Sequence, residues 1–329
     1  MTQGKFRLDI EGMRALAVIA VLLFHGSVPW AEGGYVGVDV FFVISGFLIT
    51  GLLLREMETT GGVQLSRFYA RRARRLLPAS FLTLAATAVM TLLVLPANRW
   101  ASIAGDLSAS ALYVVNWRLA GRSVDYLAAD TAASPVQHFW SLSVEEQFYA
   151  VWPLLMILVG VKLFSRSRGL ALKATLGAVF VLSFVWSVWY TGSSPGEAYF
   201  ATTTRLWELA LGGGLALSQN SLRRLPRPAA EGLAIAGVSA ICLAVLTYGP
   251  STSFPSFTAL LPTVGAAALI AAGTAHPETT VGRALSLKPL VWIGGLSYSI
   301  YLFHWPMVVG AEAIFGQPLS PLVGIAVVT

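Results

Sequence analysis

Residues 12–54 read "GMRALAVIAVLLFHGSVPWAEGGYVGVDVFFVISGFLITGLLL", two apolar runs over 12–30 and 36–54 joined by a short turn. A helix of that length rises about 28 Å at 1.5 Å per residue, close to the hydrocarbon thickness of a bilayer. Seven more runs follow, at 76–95, 144–161, 174–190, 199–217, 229–248, 257–273 and 290–310. A tenth begins near Pro318 and is cut short at Thr329, which points to a piece of a longer protein. Composition agrees with this reading: 56% of residues are hydrophobic, 12% are charged, and the mean hydropathy is +0.69. Soluble domains carry about 25% charged residues, so the expected fold class is all-α, a polytopic transmembrane bundle of about ten spans.

The first run is long, lacks a small-residue cleavage pattern and leads straight into the second, so it reads as a retained helix rather than a signal peptide. The single cysteine, Cys242, lies in an apolar run and has no partner for an internal disulfide. The net charge of +6 does not indicate nucleic-acid binding, because the basic residues cluster between spans. Those clusters are Arg55 to Arg75, Lys162 to Lys173, Arg223 to Arg227, and Arg283 with Lys288; loops 191–198 and 249–256 have no lysine or arginine. An alternating topology with a cytoplasmic N-terminus places every cluster inside. The stretch 102–117, "SIAGDLSASALYVVNW", would reverse that alternation if it crossed. It is therefore expected to be a re-entrant or interfacial helix in an outer loop.

Topology assigns a depth to each polar residue. Arg14 lies near the inner end of the first span, and His25 follows eleven residues later. That step is about 16 Å along the axis with a net rotation of about 20°, so both occupy one face. Asp39 falls near the outer start of the second span. His138, Glu145 and Glu146, in "HFWSLSVEEQFY", fall at the outer start of the fourth. Arg205 and Glu208, in "TRLWELALGGG", and His304, in "LSYSIYLFHWP", fall in the outer halves of the sixth and ninth. Ionisable groups within spans are costly and mark functional sites or satisfied pairs, such as Arg205 with Glu208. Gly212, Gly213 and Gly214 are better explained by close helix packing than by phosphate binding.

A histidine with nearby carboxylates suits general-base activation of a hydroxyl, the carboxylate fixing the ring's tautomer. Either Glu145 or Asp39 is the carboxylate expected to orient His25. No metal-ligand spacing, Walker loop or GxSxG elbow occurs. "RFYARRARRLLP", from Arg67 to Pro78, packs five arginines into nine residues ahead of a span. Guanidinium forks bind phosphate oxygens bidentately, while such clusters also serve topology and lipid contact. A donor held by its phosphates near Arg71–Arg75 could send a long arm past Arg14 to His25. A proton-coupled transporter is the alternative from another class, but no pair of motif-bearing halves repeats along the chain.

Taken together, Arg14-x10-His25, "GVDVFFVISGFLIT", "RRARRLLP", "HFWSLSVEEQFY", "TRLWEL" and "LSYSIYLFHWP" resemble the membrane-bound acyltransferase-3 family across essentially the whole chain. Bacterial members of that family O-acetylate cell-surface glycans. The resemblance implies a ten-span bundle in the bacterial cytoplasmic membrane. It also implies acetyl-CoA or a related acyl-CoA as cytoplasmic donor, and a hydroxyl of an extracytoplasmic glycan or glycolipid as acceptor. It implies no metal and no nucleic-acid partner. Carried over by position, His25 is the catalytic histidine and Arg14 its functional partner. Arg71, Arg72 and Arg75 lie near the CoA entrance, with Arg74 an extra. Glu145, Asp39 and His304 occupy further motif positions. The wording of "VEEQFY" and "YLFHWP" is similar to members that carry an extracytoplasmic SGNH-type domain after a further span.

Overall fold

The computed structural model describes residues 7–123, 133–163, 167–316, 319 and 321–328. Arg166 and Pro318 lie outside these. Helices α1 (Leu8–His25), α2 (Gly37–Thr60) and α3 (Leu65–Val94) lead into a pair, α4 (Trp100–Ala111) and α5 (Val115–Ser123). Then come α6 (Phe139–Ile157), α7 (Arg168–Ser193), α8 (Pro195–Phe200), α9 (Leu206–Leu217) and α10 (Gln219–Leu222). The series ends with α11 (Arg227–Thr247), α12 (Leu260–Ala275), α13 (Thr280–Leu285), α14 (Lys288–Phe315) and α15 (Pro321–Val328). Among the described residues there is no strand.

Polarity is inverted relative to a soluble protein. Leu82, Leu93 and Leu182 are 61%, 79% and 72% exposed, whereas Arg205, Asp39 and Glu208 are at most 1% exposed. Water would not tolerate that outer face; lipid does. Six helical segments among the described residues are long and apolar enough to cross a membrane: Glu32–Thr60, Leu65–Val94, Phe139–Gly160, Arg168–Ser193, Arg227–Thr247 and Phe257–Ala275. The chain is a multi-pass membrane protein. The other expected runs differ for physical reasons. α1 carries Asp9, Glu11 and Arg14 and is largely enclosed by its neighbours. α14 is longer than its expected 290–310 but is interrupted by Ser297, His304 and Pro306.

Two boundaries need correction. The first run does not continue to residue 30: α1 stops at His25, and the chain turns through Gly26 and Ser27 into a 3-10 segment, Glu32–Val36. The sixth run, 199–217, is not one helix but α8, a 3-10 turn over Thr202–Thr204, and the 12-residue α9. Side chains divert its backbone: Thr204 Oγ1 donates to the carbonyls of Ala198 (2.6 Å) and Ala201 (2.8 Å). Ser183 Oγ donates to the Thr203 carbonyl (2.6 Å) and accepts from Trp207 N–H (3.1 Å). Hydroxyls that satisfy backbone groups locally compete with the helical ladder, and a broken helix survives at this depth because protein covers it.

Glycine sets the close helix crossings. A Cβ on Gly46 of α2 would collide with the Leu209 backbone, and one on Gly212 of α9 with the Val43 backbone, so the two helices interlock through reciprocal glycines. Gly213 packs against Thr50 and Leu176, while Gly214 meets nothing. Gly294 of α14 seats on the Glu11 backbone of α1, which holds these two helices parallel and in contact. The pair α4–α5 forms a hairpin whose tip reaches Ser80, midway along α3.

Candidate active site: two cavities and a histidine pair

Parallel packing of α1 and α14 brings His25 against His304. The Nδ1 atom of His25 lies 3.1 Å from His304 Nε2, and His304 Nδ1 lies 2.6 Å from the Tyr301 carbonyl. A carbonyl only accepts, so His304 holds its proton on Nδ1 and offers a lone pair at Nε2. With both rings neutral, His25 must then donate from Nδ1, which leaves its Nε2 as the basic atom. Trp305 packs against His25 at a 54° tilt with ring centroids 4.5 Å apart, and its Nε1–H donates to the Ser134 carbonyl at 2.8 Å. The imidazole is thus oriented from two sides. His138 completes the group: its ring lies 5.5 Å from that of His304 and its Nε2 donates to the Leu302 carbonyl at 2.9 Å. Among the described residues, no group of three or more His, Cys, Asp or Glu side chains is arranged to hold a metal ion.

His25 and His138 line a cavity of about 680 Å³ with Phe24, Tyr199, Trp305 and Glu312. A second cavity, of about 500 Å³, is lined by Arg14, Arg55, Arg71, Arg72 and Arg75 together with Glu145, Glu146 and Tyr149. Val38 and Tyr301 belong to the wall of both. Arg14 and His25 therefore share one helix yet open into different cavities, as their separation along α1 requires.

Within the arginine cavity the side chains are already braced. Arg14 Nη1 donates to Glu11 Oε2 at 2.8 Å, and Arg72 Nη2 to Glu146 Oε1 at 3.2 Å. The Arg72 guanidinium also stacks on Tyr149, 3.6 Å from the ring centroid. Ser45 and Tyr149 both donate to Glu145 Oε1, Tyr149 at 3.1 Å. Arg71 is tied only loosely, at 3.4 Å from Glu56, and Arg74 turns away to donate to the Ala70 carbonyl. Five arginines against two glutamates leave this cavity formally cationic, and the chemistry of that donor set fits the phosphates of an acyl-CoA.

The carboxylates assigned to His25 from the sequence need correction. Asp39 does not face His25: its Oδ1 accepts from Arg205 Nη1 at 2.9 Å, and Glu208 Oε1 accepts from the same nitrogen at 3.3 Å. Trp140, Tyr199 and Phe254 cage this guanidinium with ring centroids 5.3, 5.3 and 5.0 Å away. A buried guanidinium requires a carboxylate partner, and Asp39 is committed to it. Glu145 sits in the arginine cavity, not beside the imidazole. The group on His25 Nδ1 is His304, and the carboxylate lining the histidine cavity is Glu312. Sequence reasoning missed Glu312, eight residues after His304 on the same helix; a carboxylate within that apolar helix is the signal that could have found it.

Comparison with known proteins follows the same lines. The acyltransferase domain family matches residues 7–329. The peptidoglycan O-acetyltransferase OatA of Listeria monocytogenes is 37% identical over 92% of this chain and 50% of its own length. The putative peptidoglycan O-acetyltransferase YrhL of Bacillus subtilis is 36% identical over 94% of this chain and 50% of its own. The O-acetyltransferase OatA of Staphylococcus aureus is 33% identical over 98% of this chain and 54% of its own. The chain thus spans about half the length of the curated relatives it matches. No solved structure matches it. A family match that runs the length of the bundle, through both cavities and the histidine pair, makes this chain a member of the acyltransferase domain family.

Proposed function

We propose that the chain is the membrane part of an O-acetyltransferase that takes an acetyl group from acetyl-CoA on the cytoplasmic side and delivers it towards a cell-wall glycan hydroxyl on the other. The bundle lies in the bacterial cytoplasmic membrane with its arginine cavity facing inward. The observation that carries this reading is the pair of cavities with a shared Val38–Tyr301 wall, one lined by five arginines and the other by His25. The relatives' names, which specify peptidoglycan for two of them, support the acceptor class.

In this reading Arg71, Arg72 and Arg75 hold the phosphates of the donor, and Arg14 stands deeper in the same cavity. The thioester supplies an activated acyl carbon. His25 Nε2 takes the proton of the acceptor hydroxyl as its oxygen bonds to that carbon. His304 holds the tautomer and accepts the Nδ1–H of the imidazolium that forms. As the C–S bond breaks, His25 returns the proton to the departing thiolate. An acyl group carried briefly on His25 Nε2 balances equally well: Nε2 displaces the thiolate in a first step, and the glycan hydroxyl, giving up its proton, displaces the imidazole in a second.

Purified protein in lipid nanodiscs tests the proposal with radiolabelled acetyl-CoA and soluble muropeptide. Wild type should bind acetyl-CoA and release CoA thiol in an acceptor-dependent manner. His25→Ala should bind but lose about 10²–10⁴-fold in rate. Full activity in His25→Ala refutes the mechanism; failure of wild type to bind acetyl-CoA refutes the donor. Label retained on the protein after donor alone would favour the covalent route.

A further inference from the structure

Arg55 reaches the arginine cavity from α2, whereas Arg71, Arg72 and Arg75 come from α3 and Arg14 from α1. Val38, Phe41, Ser45, Leu48, Leu52 and Arg55 all line that cavity. They recur at steps of three and four residues, so one face of α2 runs along it. The two ends of this face differ in kind. Val38 belongs to the wall shared with the histidine cavity, and Arg55 follows seventeen residues later, about 25 Å along the helix axis. Between them the face is apolar except at Ser45, whose hydroxyl is spent on Glu145.

Exposure shows which end is open. The side chains of Arg71, Arg72 and Arg14 are 44%, 20% and 13% exposed, and each is tied to a glutamate, Glu56, Glu146 and Glu11 respectively. Glu56 is the neighbour of Arg55 on α2, so its 3.4 Å contact with Arg71 puts Arg55 and Arg71 near one level, on two helices at the mouth. Arg55 is itself exposed, and among the described residues its side chain has no hydrogen bond or ion pair. Arg75 is exposed and unpaired as well, but it lies one turn along α3 from Arg71 and three residues from Arg72, so it extends their row. Arg55 thus offers a whole, uncommitted guanidinium across the mouth from that row.

An acyl-CoA carries its acyl group at one end, a phosphorylated ribose at the other and a pyrophosphate between. With the acyl end at the Val38–Tyr301 wall, the far end of the donor comes to the mouth. The ribose 3′-phosphate there is a monoester bearing close to two negative charges, the densest charge on the molecule. A guanidinium fork free of any carboxylate suits it best. Building on the donor reading above, we infer that Arg55 binds the 3′-phosphate of the donor and so distinguishes CoA from dephospho-CoA, leaving Arg72 and Arg75 to the pyrophosphate.

Equilibrium binding to the full chain in nanodiscs, at fixed ionic strength, tests this with two probes, acetyl-CoA and acetyl-3′-dephospho-CoA. Wild type should bind acetyl-CoA about tenfold tighter than the dephospho probe. Arg55→Ala should weaken acetyl-CoA about tenfold, bind the dephospho probe like wild type, and so abolish the preference. Arg55→Lys, which keeps the charge without the fork, should restore part of it. Arg75→Ala should weaken both probes alike and keep the preference. The Arg55 side chain has no bonded partner to lose, so both of its variants should melt with wild type. Equal affinity of wild type for the two probes overturns the inference and leaves the donor reading standing. A full preference in Arg55→Ala overturns it too, as does a preference lost equally in Arg75→Ala, which traces it to the summed charge of the cavity. Wild type that binds neither probe removes the donor reading and the inference with it.

Discussion

Removing Asp39 should unfold the protein before it disables the chemistry. The Asp39 and Arg205 side chains are each 1% exposed, and their 2.9 Å contact is enclosed by three aromatic rings. Asp39→Ala leaves a guanidinium in an apolar cage with only the longer contacts to Glu208 (3.3 Å) and the Tyr199 carbonyl (3.4 Å). Breaking a buried pair from one side costs about 3–5 kcal/mol, whereas replacing all the charges by apolar groups of similar volume is often neutral. At about 2 °C per kcal/mol for a large domain, the thermal midpoint of Asp39→Ala should fall by about 6–10 °C. The triple variant Asp39→Leu, Arg205→Met, Glu208→Leu should recover most of that loss. Tryptophan fluorescence of detergent-purified protein measures the midpoint, and acetyl-CoA binding per folded molecule measures function. Asp39→Ala that melts with wild type but has lost acyl transfer would refute the structural assignment and restore Asp39 to the catalytic group.

Three other outcomes follow from contacts in the site and the bundle. His304→Phe removes the acceptor for His25 Nδ1 and should lower acyl transfer by about 10²–10⁴-fold with acetyl-CoA affinity unchanged; His304→Gln, whose amide oxygen can reach the place of Nε2, should restore part of the rate. Arg72→Lys keeps the charge but loses the stacked fork on Tyr149, so acetyl-CoA affinity should fall nearly as far as in Arg72→Ala, read by the same binding assay. Gly46→Ala forces α2 off the Leu209 backbone and should destabilise by about 1–3 kcal/mol, while Gly214→Ala, which meets nothing, should be neutral or stabilise by up to about 1 kcal/mol through helix propensity. Thermal midpoints of the two glycine variants, measured side by side, check that contrast.

Local periodicity carries far in this chain, and it stops where tertiary contact begins. The eleven-residue step from Arg14 to His25 is helical arithmetic, so their shared face and separate depths were legible without coordinates. The break before α9 was not, because "ATTTRLWEL" is apolar enough to pass for a continuous helix. What interrupts it is Ser183, on another helix, bonding to Thr203 and Trp207. Nor could spacing reveal that His25 meets a residue 279 positions away.

The deeper limit concerns what a polar residue in an apolar run signifies. Its cost shows that something compensates it, but the sequence does not say whether protein or ligand does. Asp39 and Arg72 look alike on that test. In the fold, Asp39 has its compensating charge at 2.9 Å and lines neither cavity, although its Oδ2 has no hydrogen-bond partner. Arg72 is also paired, to Glu146 at 3.2 Å, but it keeps an unpartnered Nε and faces an open cavity with four other arginines. Unpartnered atoms occur in both places, so position separates them: enclosure in an aromatic cage marks the scaffold, and a place on a cavity wall marks the site.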